Sequence, residues 1–527
     1  MPDRRVRVTG TLFVAVLLVF AGVSPALATT DAGPVAGDGW TTATTLPASA
    51  ATTAPQQEGS SLHERIVASR NDEPGSVSLT FEYRVPDSVT GLRVGVPVLS
   101  IPGITVASTD GFERTETTRF LWDTETDRPS VTLRLAVGDE LGSGVRGVER
   151  GDWALVSQPN TRVQIRTDDR AVRTSSFGVA SGEPGYASSH LAYLGTHERR
   201  NVTVADERAT FVLGAEDADP TRATAFLTAA NEHFDFGVQR ERITVFVLPL
   251  NEDATTGVDA ATVDTAFWVG QSGLGFDGTG AVFAHEYVHT RLGTVGVDDA
   301  TWLTEASAEY YGHLFALNDG VGDYETFRSD LRASEYDPDR RSVVLTDPET
   351  WTGTTAHYDK GAHVLAALDA EIRRRTDGAR TLRDVFTGRS EPFRDYRAFR
   401  TAVTRVADDD SLGPWLDRYV TTDALPPLPE NPRYYVAAPS LDPDGDGTAS
   451  GAEVERGRHP FVAGAGPDGA VTTSTATDTT DGTETTAGAG RTTTTPPTET
   501  EGSAPGFGVV AALAALLIVV RLEKRRQ

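Results

Sequence analysis

The hydrophobic period of this chain changes near Pro220, and that change divides it into two kinds of structure. From about Leu62 to Asp206, apolar residues alternate in short runs such as SVSLTFEYRV, SVTLRLAV and TRVQIRT, separated by Gly, Pro and Asp. Alternation sends the apolar side chains of a strand to one face, and the punctuating residues favour tight turns. An antiparallel β-rich domain at residues 61–206 is therefore expected. Beyond Pro220, TRATAFLTAANEHFDF has helical spacing, RITVFVLPL and TAFWVG read as strands, and helical patterns continue from VFAHEYVHTRL to YRAFRTAVTRVA. A sheet followed by helices predicts an α+β domain, at residues 207–436.

The ends of the chain are of another character. Arg4, Arg5 and Arg7, the run LFVAVLLVFAGV and the small-residue ending at Ala28 read as a secretory signal over residues 1–28, so the body is expected to be exported. Residues 29–60 are too poor in large apolar side chains to pack and are expected to form a disordered tether. A Thr/Pro/Gly stalk follows at 463–504. No cysteine is present, which excludes disulfides and thiolate metal sites. With 75 acidic against 48 basic residues the formal charge is -27, which argues against nucleic acid as a partner. Only two of the basic residues, Lys360 and Lys524, are lysines, and this skew resembles proteins of salt-loving archaea.

Within VFAHEYVHTRL, His285 and His289 are four residues apart and share one face of a helix, so both imidazoles can aim at one point. The filling is apolar (Val282, Phe283, Tyr287, Val288), which predicts a buried helix. Two histidines and a glutamate there cost several kcal/mol unless something satisfies them. A hydrolytic zinc site takes three protein ligands and leaves one position open. Glu305, in the next helical pattern WLTEASAEYY, is the candidate third ligand. Glu286 lies beside the histidine face, where it can move a proton as general base. Glu309, one turn beyond Glu305, is placed to orient a ligating histidine.

HEYVH, then WLTEASAEYY, then HYDKGAHVLAALDAEI resemble, in this order, the motifs of the gluzincin metallopeptidases, in particular the glycyl-aminopeptidase and aminopeptidase N families. The resemblance covers about residues 220–425 and implies a thermolysin-like fold and zinc-dependent peptide hydrolysis. It implies His285, His289 and Glu305 as zinc ligands, Glu286 as general base and Tyr358 as hydrogen-bond donor to the transition state. The chain departs from the pattern in three ways. Fifteen residues rather than the usual eighteen separate His289 from Glu305, and Ala306 stands where those families have Gly. No GAMEN stretch precedes the zinc helix, so whether the substrate is cut at its end or internally stays open.

In DPDGDGTASGAE, Asp442, Asp444 and Asp446 hold positions one, three and five of a loop, with Gly447 at six, Thr448 at seven, Ser450 at nine and Glu453 at twelve. That is the spacing with which an EF-hand-type loop wraps oxygen ligands around calcium, and a structural Ca2+ module is expected at 437–462. Finally, Pro505-Gly506-Phe507, an apolar run ending at Val520 and a basic tail make residues 505–527 a transmembrane or sorting segment. It resembles the PGF-type signal of halophilic archaea, which implies an archaeosortase-like processing enzyme and a membrane anchor at the cell surface. The expected protein is a surface-anchored zinc metallopeptidase acting on peptides or proteins. The alternative is a surface structural or adhesion protein on an inactive peptidase-like fold.

Overall fold

The computed structural model describes residues 40–46, 61–137, 147–168, 172–250, 260–274, 282–389 and 391–466. The expected signal, most of the tether and stalk, and the C-terminal apolar segment lie outside these residues. Among the described residues no helix is long and apolar enough to cross a membrane.

The N-terminal region is β-rich. One sheet has the strand order Thr44–Leu46, Val172–Val179, Ser61–Arg70, Ser76–Arg84, Ser130–Ala136, Ile104–Asp110. A second has the order Thr41–Thr42, Arg162–Thr167, Val89–Gly95, Arg119–Trp122, Phe112–Glu116. Ile66, Leu79, Phe81 and Leu133 of the first share a core with Leu92, Phe120, Val163 and Ile165 of the second. Pairing is antiparallel except at Val172–Val179, which runs parallel to both Ser61–Arg70 and Thr44–Leu46. Glu64 faces inward at 2% exposure. Its carboxylate accepts from the hydroxyls of Tyr83, Thr161 and Ser175 at 2.8, 2.7 and 2.9 Å, and Arg173 lies at 3.6 Å, so the buried charge is fully answered.

Two expectations about boundaries need correction. Part of the stretch expected to be a disordered tether is ordered: Thr41 and Thr42 pair with Ile165 and Gln164. The indole of Trp40 lies under the guanidinium groups of Arg93 and Arg166, at 4.0 and 4.7 Å. The β-branched threonines suit a strand, and the stacked tryptophan supplies the anchor that the composition obscured. The second correction concerns the boundary drawn at residue 207. The sheet of the second region already begins at Glu198–Val204, because a tight turn at Ala205, with φ of 49°, folds this strand back onto Glu207–Leu213.

That sheet has the order Glu198–Val204, Glu207–Leu213, Arg242–Leu248, Ala266–Gly270, Ala260–Val263. Helix α1 (Thr221–His233) crosses between two parallel neighbours, Glu207–Leu213 and Arg242–Leu248. The central strands of the sheet are buried on both faces. Ile243, Val245 and Val247 pack with the helices, whereas Phe246 and Leu248 pack with Trp153, Leu191 and Tyr193. Those three residues belong to a small sheet ordered Gly147–Arg150, Trp153–Ser157, Leu191–Leu194, Gly185–Ala187. Double-sided burial accounts for the continuous apolar run RITVFVL.

Helix α2 (Val282–Leu292) lies against the strands Ala260–Val263 and Ala266–Gly270, and ends at Gly293, whose φ of 60° closes it. Next come α3 (Trp302–Asn318) and three shorter helices, α4 (Tyr324–Leu331), α5 (Ala333–Tyr336) and α6 (Pro338–Arg341). The long, mostly buried α7 (Ala356–Arg375) follows, and α3 packs against both α2 and α7. Two glycines set these crossings. A Cβ on Gly312 would stand 2.9 Å from the backbone nitrogen of His285, and one on Gly361 would stand 2.3 Å from Cβ of Ala306. Lys360 is buried beside this contact, its ammonium donating to the carbonyls of Val343 and Thr422 at 2.5 and 2.8 Å, which pins two loops onto α7.

The contact between Ala306 and Gly361 leaves space for one methyl group. Gly361→Ala should cost about 1–3 kcal/mol of unfolding free energy, as overpacking does. Adding Ala306→Gly should recover most of that loss. Urea denaturation of the single and double variants measures both effects.

Candidate metal centre

Helix α2 aims His285 and His289 toward α3, because both lie on the face that α3 covers. From the first turn of α3, Glu305 meets them. His285 Nε2 and His289 Nε2 are 3.1 Å apart, and Glu305 Oε2 is 3.3 Å from each. His285 and Glu305 are only 5% and 2% exposed. The three atoms form a nearly equilateral triangle in which each points an electron pair or a proton at the same small space. In a tetrahedral zinc site, with donors about 2.0–2.1 Å from the ion, neighbouring donors stand about 3.3 Å apart. The triangle therefore fits one face of such a tetrahedron.

The surroundings fit as well. Glu305 Oε1, Tyr358 Oη and His357 Nδ1 are buried without a hydrogen-bond partner. Burial opposes ionisation of Glu305, but the imidazoles of His289 and His285 outweigh it and hold the carboxyl well below its usual range. Glu309 Oε2 accepts from Nδ1 of His285 at 3.0 Å, which fixes the ring and turns the Nε2 lone pair to the centre. The sequence pattern gave Glu309 this place. It gave no sign of what lies behind it: His313, one further turn along α3, donates to Glu309 Oε1 at 3.1 Å, and Asp330 of α4 lies 3.6 Å from the other ring nitrogen. His313 is four residues after Glu309, a helical spacing that could have exposed the pair, whereas Asp330 sits on another helix.

Glu286 is buried at the same centre. Burial lifts its pKa above the usual carboxylate value, against the pull of His285 and His289. The hydroxyl of Thr262 donates to its Oε2 at 2.5 Å and to its backbone carbonyl at 3.0 Å. Thr262 lies on the edge strand Ala260–Val263, which sequence reading missed because only four residues form it. Tyr358, at the start of α7, lies with its ring parallel to that of His285, centroids 6.1 Å apart. Burial, then the carboxylate of Glu305, holds its phenol protonated well above the usual value. His357 stacks on Trp351 at 4.0 Å, and burial pushes its pKa down to about 4, which makes it a neutral ring at physiological pH.

The calcium-type loop lies apart from this centre. Carboxylate oxygens of Asp442, Asp444 and Asp446 gather within 4.8 Å of one another. Backbone amides occupy one oxygen of each: Gly447 donates to Asp442, Asp446 to Asp444 and Thr448 to Asp446. Ser450 turns its hydroxyl proton to the carbonyl of Leu441 at 3.0 Å. Glu453 is 1% exposed, and burial followed by the charges of Asp444, Asp446 and Asp442 pushes its carboxyl up to about 7.

Residues 504–526 match the PGF-CTERM motif. The motif marks cell-surface proteins anchored at their C-terminus, and it locates this chain at the cell surface. No curated protein matches the chain. Among solved structures, an aminopeptidase N family protein from Idiomarina loihiensis aligns over 70% of this chain and 77% of its own, with 13% identity and a TM-score of 0.46. An M1 zinc metallopeptidase from Deinococcus radiodurans aligns over 71% and 97%, with 16% identity and a TM-score of 0.44. Aminopeptidase A from Legionella pneumophila aligns over 70% and 50%, with 10% identity and a TM-score of 0.41. These are enzymes of the class that the three motifs resemble.

The donor triangle predicts uptake of one zinc ion per chain at this centre. His285→Ala or His289→Ala should abolish it. Glu309→Gln should retain the ion with an affinity about 10- to 100-fold lower, because it removes an orienting partner and not a donor. Competition with a chromogenic chelator measures all three.

Proposed function

We propose that this chain is a cell-surface zinc metallopeptidase that hydrolyses peptide bonds in peptides or proteins. The observation that carries the reading is the buried triangle of His285 Nε2, His289 Nε2 and Glu305 Oε2 with the carboxylate of Glu286 beside it. Three donors on one side leave a fourth direction for substrate and water, as hydrolytic sites require. A zinc ion held there would supply Lewis acidity, making water a stronger nucleophile and a peptide carbonyl more electrophilic.

The protein's own groups divide the remaining work. Glu286, with its pKa raised by burial, is a base that can take a proton from the attacking water and return it to the leaving amine. Thr262 fixes Glu286 Oε2, so the other oxygen is the one left to carry the proton. Tyr358 keeps its proton and can donate it as a hydrogen bond to the carbonyl oxygen as negative charge develops. Its buried hydroxyl has only the nearby carboxylate of Glu305 to turn from. His357, neutral and stacked on Trp351, is the weaker candidate for that donation. Glu309 and His313 hold His285 in the tautomer that directs its lone pair inward. At the C-terminus, the sorting motif supports processing by an archaeosortase-like enzyme and a lipid anchor in the membrane.

A mixed peptide library incubated with the purified protein tests the reading. Cleavage that stops with chelator and returns with zinc is expected, and the cut positions distinguish exo- from endopeptidase action. Zinc-loaded protein that cuts nothing would favour the inactive, adhesive alternative. Glu286→Gln should abolish turnover while keeping zinc. Tyr358→Phe should lower kcat by roughly 100- to 1,000-fold with zinc intact, and His357→Ala by much less. Near-normal kcat in Tyr358→Phe would remove the tyrosine from the mechanism.

Deleting residues 505–527 should release the protein into the medium, as immunoblots of cell and medium fractions report. Equal release of the full chain would contradict anchoring.

A further inference from the structure

We propose that Asp442, Asp444, Asp446 and Glu453, with the carbonyl of Thr448, bind a calcium ion that clasps residues 437–466 onto the C-terminal end of α3. Three clustered aspartates on a surface loop would not by themselves make a site. Glu453 supplies the independent observation: it is 1% exposed, and neither carboxylate oxygen has any hydrogen-bond donor. A second buried oxygen, Asp444 Oδ2, is also without a donor. Burying a carboxylate with no hydrogen-bond donor on either oxygen is among the costliest arrangements a protein can adopt, and the charge of Arg458 offsets it only in part. The three aspartates add negative charge to it, and a bound cation would answer all four carboxylates at once.

The chemistry of the donors selects the ion. All are hard oxygens, and the twelfth-position glutamate can bind through both of its oxygens, which suits the large, flexible coordination shell of calcium. Magnesium demands a smaller octahedral site, and zinc prefers nitrogen or sulfur. Gly447 turns the loop at φ of 87°, as the sixth position of such a loop requires. One oxygen of each aspartate is occupied by a backbone amide, which leaves the other for the ion.

What the ion would hold is equally specific. Asn318, the last residue of α3, is fully buried. It donates to the carbonyl of Tyr435 at 2.8 Å and accepts from the amide of Ala437 at 2.9 Å. Gly320, in the turn that follows, lies so close to the loop that a Cβ on it would stand 2.5 Å from the carbonyl oxygen of Pro443. Beyond the loop, His459 and Phe461 close on Tyr324 with ring centroids 4.5 and 5.7 Å away. The loop is thus fastened to the far end of the helix whose first turn carries Glu305.

Full-length protein stripped of metal and reloaded with zinc alone is the starting material for the test. Titration with calcium chloride, followed by calorimetry and thermal melting, should show one further ion bound and a Tm higher by several degrees. Proteolysis within 440–460 should slow correspondingly. Glu453→Gln should melt no lower than the wild type in the absence of calcium, since it removes an unanswered buried charge, and should lose the calcium response. Asp444→Asn should lose that response too, with zinc content unchanged in both. His285→Ala, which lacks the zinc site, should still bind calcium, and this separates the two metals. No calcium binding by the wild type would overturn the proposal, as would unaltered binding by Glu453→Gln. An equal response to magnesium would overturn the choice of ion.

Discussion

Three buried polar groups that converge on one point set the geometry of the helical region. His285 Nε2, His289 Nε2 and Glu305 Oε2 stand 3.1–3.3 Å apart with a single small space between them. Separately, each would be better off in water. They are held together because α2 and α3 cross at Gly312 and α3 and α7 cross at Gly361, where a side chain on either glycine would force the helices apart. The apolar packing of Phe283, Tyr287, Trp302 and Leu365 stabilises an arrangement that the polar groups alone would disfavour.

The same arrangement explains why Glu309 is more than a spectator. It is hydrogen-bonded to His285 on one side and to His313 on the other, and both pull its carboxyl well below the usual range despite burial. The Glu309 carboxylate holds Nδ1 of His285 in place; burial opposes charging of this ring, but Glu305 and Glu309 raise its pKa well above the usual value, so a metal must displace the proton on Nε2. Orientation is thereby settled before binding, and little is lost to ordering when an ion arrives.

Legibility from the sequence followed physical range. The spans of α2 and α3 could be read because apolar residues recur there at helical spacing, and the histidine pair and Glu305 came with them. Glu309 was legible for the same reason, being one turn from Glu305. Thr262 was not, because its contact with Glu286 is set by which strand forms the sheet edge, a tertiary fact with no local signal. Asp330 and Asn318 escaped for the same reason. The boundary at residue 207 failed because a two-strand hairpin looks alike in either neighbouring sheet, and only pairing with Arg242–Leu248 assigns it. Trp40 shows the opposite case, in which one aromatic between two arginines orders a segment whose composition reads as unstructured.

The parallel pairing of Val172–Val179 with Ser61–Arg70 has a consequence for the order in which the chain folds. Synthesis delivers Ser61–Arg70 and its antiparallel neighbour Ser76–Arg84 long before the strand that completes the sheet. Closing so long a loop is slow, so one edge of the nascent sheet stays open meanwhile. Glu64 lies on the strand at that edge, and until Ser175, Arg173 and Thr161 arrive it lacks most of its final partners. An inward-pointing charge on an open edge discourages pairing with another chain. The strand that closes this edge thus also brings Glu64 most of the partners that satisfy its carboxylate.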